Sequence, residues 1–188
     1  MTPTPTPGPT PGQTVGPFVA FALVHDGGAD LVPPGHPDAI RLTGRVLDGA
    51  GDPVPDALVE IWQAAPDGSV VREPGSLHRD GFTFTGWGRA PTDRTGRYTF
   101  TTLAPGATTP GAASYVAVAV FARGLLDRLL TRAYVPGDAA TLAADPLLVS
   151  VAPERRDTLV ATADEHGLVF DIRLQGPGET VFLDHRRD

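Results

Sequence analysis

The sequence predicts an all-β protein, a β-sandwich core with long loops and few short helices. Gly and Pro together account for 42 of the 188 residues (22 + 20), which favours many turns over long helices. Short runs that alternate apolar and polar residues recur between those turns, as in a two-sheet sandwich. Apolar residues make up 41% of the chain, enough for one core. No apolar run reaches the roughly 18 residues that a membrane span needs.

The first twelve residues differ in character from the rest of the chain. Residues 1–12 alternate Pro with Thr and Gly, a pattern that predicts a flexible tail outside any sheet or helix. From Gln13 the chain becomes more apolar, which indicates an N-terminal arm that docks on another surface. We therefore expect a tail over 1–12 and a single sandwich domain over 13–188, with a Gly- and Pro-rich loop at 26–38.

Nine segments have the composition or alternation of strands. We predict strands at 41–48, 57–63, 97–103, 114–122, 129–135, 147–151, 158–163, 168–174 and 180–183. Helix is predicted only at 139–144, where Asp138 is a suitable N-cap, and as one turn at 153–156. The segment 124–130 fits either a helix or a strand.

Composition excludes several chemistries. The net charge is −7 without a basic cluster, which argues against nucleic acid and anionic membranes as partners. All 15 basic residues are Arg, so Schiff-base and Walker-type lysines are excluded. The absence of Cys excludes disulfides and thiolate metal sites. The N-terminal residues lack the pattern of a secretory signal, so we expect a cytoplasmic protein.

No motif in the sequence specifies an active site by itself. The five His residues never occur at a ligand-type spacing, so we expect no metal site in this chain. No Ser lies in a Gly-x-Ser-x-Gly motif, and the Gly86–Gly88 pair is not followed by a helix. Glu60, in a predicted strand, is either a buried functional acid or the partner of an Arg.

Three segments nevertheless resemble the intradiol ring-cleavage dioxygenases. They are Gln13–Phe18 (QTVGPF), 42–68 with its LTGRV and LVEIWQA motifs, and 170–184 (FDIRLQGPGETVFLD). The last segment, together with Phe121–Gly124 (FARG), is similar to the alpha chain of the two-chain members of that family. The resemblance covers about residues 11–185.

The resemblance implies a two-chain enzyme whose Fe(III) is bound by a homologous beta chain through two Tyr and two His. The matching ligand positions here are Val70, Tyr115, Ala117 and a Tyr-free loop at 105–110. At most Tyr115 keeps a donor atom, and four ligands cannot be rebuilt from it. The resemblance thus implies that the partner beta chain, and not this chain, holds the iron, within a larger hetero-oligomer.

It also implies which residues of this chain reach the shared pocket. Thr14, Gly16, Pro17 and Phe18 match the family's arm and would bind substrate. Phe18 stands where the family usually has Tyr, which removes one hydroxyl. Arg123 matches an alpha-chain Arg of the active site, and its planar fork suits a carboxylate. Its expected role is catalytic and substrate-binding, and the alternative is an inter-chain salt bridge.

The implied activity is O2-dependent intradiol cleavage of 3,4-dihydroxybenzoate to 3-carboxy-cis,cis-muconate, in the beta-ketoadipate pathway. Two alternatives remain. One is a non-enzymatic interaction module of the prealbumin-like sandwich type, which shares the strand motifs but needs neither the arm nor the C-terminal segment. The other is an intradiol dioxygenase for another catechol, which the missing ligand set disfavours.

Overall fold

The computed structural model describes residue 16 and residues 23–72 and 79–184. Thr14, Pro17, Phe18 and the predicted tail at 1–12 lie outside the described residues, so the division into tail and domain stays a prediction. In chain order the strands are β1 (Ala39–Leu47), β2 (Leu58–Gln63), β3 (Trp87–Pro91), β4 (Arg97–Leu103), β5 (Tyr115–Phe121), β6 (Leu129–Tyr134), β7 (Thr162–Asp164), β8 (Gly167–Val169) and β9 (Ile172–Arg173). The helices are α1 (Ala139–Ala144), α2 (Pro146–Ser150) and a 3₁₀ helix (Pro153–Leu159).

The strands form two sheets, as predicted. The first sheet has the order β4-β1-β8-β7, and β9 also pairs with β1. The second has the order β3-β2-β5-β6 and is antiparallel throughout. Mostly β structure with few short helices confirms the predicted fold class.

The core lies between the inner faces of the two sheets. On β5, Val116, Val118 and Val120 are buried, whereas the residues between them are half-buried. Because side chains alternate across a strand, the second set forms the outer face of the second sheet. Leu42, Val46 and Phe100 contribute the first sheet's share of the same core.

One glycine allows the close packing of the first sheet. A Cβ on Gly44, in the middle of β1, would lie 1.9 Å from the carbonyl oxygen of Phe170 and 2.9 Å from the Tyr98 hydroxyl. Tyr98 is buried, and its hydroxyl donates to that same carbonyl at 2.5 Å. The position therefore excludes any side chain.

Both predicted helical segments are present, and the first of them begins after the N-cap Asp138. Its carboxylate accepts the backbone N–H of Thr141 at 2.8 Å, and α1 begins at the next residue. The helical turn predicted at 153–156 is also present, extended into the 3₁₀ helix. The ambiguous segment 124–130 forms turns before β6 begins at Leu129.

Three strand predictions are wrong. Residues 147–151 lie mostly in α2, because Asp145 caps the N–H groups of Leu147 and Leu148 and Pro146 occupies the first helical turn. At 158–163 the 3₁₀ helix continues to Leu159, and only the last residues enter β7. The segment 180–183 forms no strand, because its backbone N–H groups donate to scattered partners: Thr180 to the Arg173 carbonyl, Val181 to the Thr158 hydroxyl and Leu183 to the Leu130 carbonyl.

The observed strands differ from the predicted ones in two further places. The predicted strand 168–174 is split into β8 and β9, since Asp171 accepts the N–H of Arg45 at 2.8 Å through its side chain. Strand β3 was not predicted, because its Trp87-Gly88-Arg89-Ala90-Pro91 sequence contains Gly and Pro. No helix in the described ranges combines the length and apolarity needed to cross a bilayer.

Candidate functional site

Arg123 is held at the end of the second sheet by a carboxylate of the same chain. Phe121 and Leu58 are register partners at the ends of β5 and β2, so residues 123 and 56 lie opposite each other just beyond the strands. Arg123 Nη2 and Asp56 Oδ2 are 2.9 Å apart. The Arg123 side chain is still 57% exposed, which leaves N–H donors toward solvent. The ion pair found here is thus intra-chain, whereas the sequence alternative was an inter-chain one.

Of the predicted arm residues, only Gly16 is described. It is exposed, and a Cβ placed on it would meet no atom within 4 Å. This observation does not relate Gly16 to Arg123, so the role of the arm in the pocket stays a prediction.

The four positions that the resemblance aligns with iron ligands lie at one end of the second sheet. Val70 follows β2, and the loop that carries it packs on the loop after β4, where Gly106 donates its N–H to the carbonyl of Ala65 at 3.0 Å. Gln63 ties the ends of β2 and β4 together, since its side-chain amide donates to the Leu103 carbonyl at 2.8 Å. Tyr115 and Ala117 begin β5 beside the same end of β2.

The side chains at this end do not fit a ferric ion. Val70 is a hydrocarbon and 60% exposed, and Ala117 offers only a methyl group. Tyr115 has a hydroxyl, but the guanidinium of Arg132 lies over its ring, 4.1 Å from the centroid. A fixed cation there opposes a second, trivalent one. Across the described ranges, no three His, Asp or Glu side chains group together as a metal site would need.

The outer face of the second sheet carries a structural ion pair. Arg89 Nε donates to Glu60 Oε1 at 2.8 Å, and the two residues are register partners on β3 and β2. Arg89 also lies over the Trp87 ring, 5.1 Å from its centroid. Of the two readings of Glu60, the Arg-paired carboxylate is confirmed.

A second polar network, built around Arg132, lies on the same face. Arg132 Nη1 donates to the Tyr134 hydroxyl at 3.2 Å, and that hydroxyl donates to Asp145 Oδ1 at 2.8 Å. Burial raises the pKa of Tyr134 to about 12, assisted by the Asp145 carboxylate and opposed by Arg132. The Tyr134 hydroxyl therefore stays protonated at neutral pH and donates a hydrogen bond to the Asp145 carboxylate.

Sequence reasoning missed Asp56 and Arg132. Asp56 lies in a Pro-rich turn, where an Asp is common for local reasons. Arg132 follows buried Thr131 in β6, and alternation alone would have placed it on the outer face. Its contacts with Tyr115 and Tyr134 depend on strand pairing, which cannot be derived from this sequence alone.

A cavity of about 530 Å³ lies elsewhere in the fold. Leu31, Val32 and Phe84 are among its apolar lining, with Asp30 and His36 at the polar part. Phe82, which is 97% exposed, also borders it. Neither Gly16 nor Arg123, the predicted site residues that the structure describes, contributes to it.

The chain is similar to both chain types of one enzyme. It is 37% identical over 185 residues to the protocatechuate 3,4-dioxygenase alpha chain of Burkholderia cepacia, covering 90% of this chain and 94% of that one. The Pseudomonas putida alpha chain is 38% identical over 162 residues, 79% of each chain. The beta chain of Burkholderia cepacia is 37% identical over 175 residues, 84% of this chain and 74% of that one. Identity alone therefore does not separate alpha from beta.

Solved structures show the same fold. The dioxygenase domain of a dioxygenase carbohydrate-binding protein fusion from Streptomyces sp. SirexAA-E superposes with a TM-score of 0.58 at 25% identity, covering 90% of this chain and 100% of that one. Catechol 1,2-dioxygenase from Pseudomonas arvilla C-1 gives a TM-score of 0.56 over 84% of this chain and 60% of that one, at 24% identity. A family model described as a dioxygenase matches residues 21–176. Sandwich, motifs and relatives agree, and this chain belongs to the intradiol dioxygenase family.

Proposed function

We propose that this chain is the non-iron-binding alpha subunit of a protocatechuate 3,4-dioxygenase. The observation that carries the proposal is the donor-poor end of the second sheet, where Val70 and Ala117 occupy ligand positions and Arg132 covers the ring of Tyr115. Because identity to alpha and beta chains is equal, the side chains at this end are the stronger argument for the alpha type. The Fe(III) then belongs to a homologous beta chain.

In this proposal the chain supplies a wall of the partner's substrate pocket. Thr14, Gly16, Pro17 and Phe18 line it from the arm, and Arg123 binds the substrate carboxylate. A guanidinium fork pairs with a carboxylate through two N–H groups. Asp56 pairs with Nη2 of Arg123, and the exposed remainder of the guanidinium is available for the substrate.

Metal analysis after two kinds of expression tests the division of labour. We expect stoichiometric iron and a burgundy colour when this chain is co-expressed and purified with a beta chain, and neither when it is purified alone. Stoichiometric iron in the isolated chain would contradict the proposal and favour a stand-alone dioxygenase for another catechol. A chain that never assembles with a beta chain would favour the interaction module.

Replacement of Arg123 tests the carboxylate contact. In the complex, Arg123→Ala should lower kcat/KM for protocatechuate about ten- to hundredfold, the worth of one charge-assisted hydrogen-bonded contact, and change turnover of unsubstituted catechol little. Arg128→Ala, in the same exposed loop, is the matched control. Equal loss of assembly and turnover in Arg123→Ala would make Arg123 a structural residue.

Truncation tests the arm. Deletion of residues 1–12 should leave turnover unchanged, whereas deletion through Pro17 should lower it strongly without removing the iron. Full turnover after the longer deletion would take the arm out of the pocket.

A further inference from the structure

We propose that two copies of this chain dock through Phe82 and the cavity beside it, each copy inserting its Phe82 ring into the cavity of the other. The cavity measures about 530 Å³, and its apolar wall includes Leu31, Val32, Phe84 and Leu103. We call it the Phe84 cavity. Both halves of the contact belong to this chain, so the proposal does not rest on the alpha-subunit role.

Phe82 is presented to solvent by a loop of defined geometry. The Asp80 carboxylate accepts the N–H groups of Phe82 and Thr83 at 2.8 and 2.7 Å, and the Thr83 hydroxyl donates to it at 2.6 Å. These bonds, the Thr83 hydroxyl's foremost, lower the pKa of Asp80 to about 2. Phe84 packs on the core two residues further on, whereas Phe82 is 97% exposed. A ring held outward by its own loop loses little conformational freedom on binding, as suits an interface anchor.

The Phe84 cavity is large enough for a phenyl ring. Apolar cavities of roughly 150 Å³ already hold a benzene molecule, and this one measures about 530 Å³. Arg79 fixes its wall, because the guanidinium donates to the carbonyls of Gly27 at 3.2 Å and Trp87 at 2.8 Å. Those bonds join the loop before β1 to the start of β3. The cavity is therefore preformed.

The charged groups at the cavity do not oppose contact between two acidic chains. The chain has a net charge of −7, so two copies repel each other at long range. In the cavity lining, however, one carboxylate, Asp30, accompanies one guanidinium, Arg79. Burial lowers the pKa of Arg79, and the charge of Asp30 opposes that shift. His36 also lines the cavity, and its Nδ1 accepts the N–H of Asp38 at 3.1 Å. The lining is thus close to neutral, and apolar contact can dominate there.

The arrangement favours a second copy over a different protein. A two-fold axis brings a surface patch against itself, so the patch must carry both the projecting group and the cavity that receives it. Here the loop 81–84 does both, since it presents Phe82 and forms part of the cavity wall. The exposed Pro33 and Pro34 extend the apolar rim around the same cavity. One rotation therefore fills two cavities through two equivalent contacts, whereas a different partner would use only half of the arrangement.

Sedimentation velocity of the purified full chain tests the contact. Between about 1 and 200 µM we expect a reversible monomer–dimer equilibrium, in the range that a small interface gives. Phe82→Ala should weaken the dimer about thirtyfold or more, because it removes the ring from both cavities. Val149→Ala is the matched control. Its side chain is also exposed, at 53%, but lies on α2 and is not part of the cavity lining, so the dimer should be unchanged.

A mixing experiment tests the reciprocal insertion. Pro34 is exposed and lines the cavity, so Pro34→Arg should block the cavity and leave the Phe82 ring in place. Neither Phe82→Ala nor Pro34→Arg can make the contact with itself. In a heterodimer of the two, the ring of the Pro34→Arg chain enters the open cavity of the Phe82→Ala chain. We expect the heterodimer to form about tenfold more tightly than either variant's homodimer.

Melting temperatures show whether each variant folds; should Pro34→Arg fail to fold, Phe82→Ala against Val149→Ala decides the question. A wild-type chain that stays monomeric over the whole range, a dimer that Phe82→Ala leaves intact, or a mixture no tighter than its components would each overturn the proposal. An association that depends on Phe82 but appears only with a co-purified beta chain would overturn it too, and would assign the surface to that chain.

Discussion

Arg123 and Asp56 form an ion pair of 2.9 Å across the open end of the second sheet, and Asp56 holds a left-handed backbone with φ of 60°. Among the described residues it is the one non-glycine residue with positive φ. L side chains rarely adopt that conformation, and short polar Asn and Asp tolerate it best. Asp56 thus combines a backbone conformation that few residue types tolerate with an ion pair to the predicted site residue Arg123.

Replacement of Asp56 separates its backbone role from its charge. Asp56→Asn should change the free energy of unfolding by less than about 0.5 kcal/mol, because Asn accepts positive φ and an exposed ion pair contributes little. Asp56→Ala should cost about 1–2 kcal/mol more than Asp56→Gly, since only glycine adopts this φ freely. Urea unfolding measures all three. Equal stability of the Ala and Gly variants would contradict the backbone argument.

Gly44→Ala should prevent normal packing of the first sheet. Its Cβ would meet the Phe170 carbonyl oxygen at 1.9 Å, a backbone atom that cannot move without breaking β8 and β9 away from β1. We expect a loss of about 3 kcal/mol or more, measured by chemical unfolding. Gly137→Ala is the control, because its nearest neighbour would be 4.0 Å away. A Gly44→Ala protein of normal stability would show that the Phe170 carbonyl can move away from β1 at little cost.

Glu60→Ala should destabilise the fold by about 2–4 kcal/mol, because it leaves the half-buried Arg89 guanidinium without its carboxylate. Glu165, 84% exposed beside His166, provides the comparison, and Glu165→Ala should stay within about 0.5 kcal/mol of wild type. Thermal and urea unfolding of both variants give the two values. Similar small effects would mean that the Glu60–Arg89 pair adds nothing to stability.

Stability should fall at alkaline pH through two buried tyrosines. Burial raises the pKa of Tyr134 to about 12 and raises that of Tyr98 further. In the unfolded chain both ionise near their ordinary value of 10.0, so the unfolded state loses protons first. The contribution of these two tyrosines to the free energy of unfolding is therefore fully present below about pH 10 and is lost as the pH rises from there through the folded-state values.

Urea unfolding at intervals from about pH 8, below the ordinary Tyr pKa of 10.0, up to the raised pKa of about 12 for Tyr134 checks this dependence. Tyr134→Phe should lower stability at neutral pH, through loss of the bond to Asp145, but should show a shallower decrease above about pH 10. An unchanged slope in Tyr134→Phe would place the titration elsewhere.

Strand positions in the middle of the chain were readable because their local pattern and their tertiary environment agree. Residues 97–103 form β4 as predicted, and β1, β2, β5 and β6 differ from their predictions by one or two residues at an end. In each, one face packs into a single core, so apolar alternation reports burial directly. Asp138 similarly specified α1, since an N-cap acts over three residues.

The two-sheet sandwich, the lack of Lys and Cys chemistry, and the family motifs could all be predicted from the residues alone, because they depend on local alternation and on residue identity. Three contacts became visible only in the folded chain: Asp56 with Arg123, Glu60 with Arg89, and Arg132 over the ring of Tyr115. The partners in each pair lie on different strands or just beyond their ends, and strand register fixes them through hydrogen bonds between segments far apart in the chain.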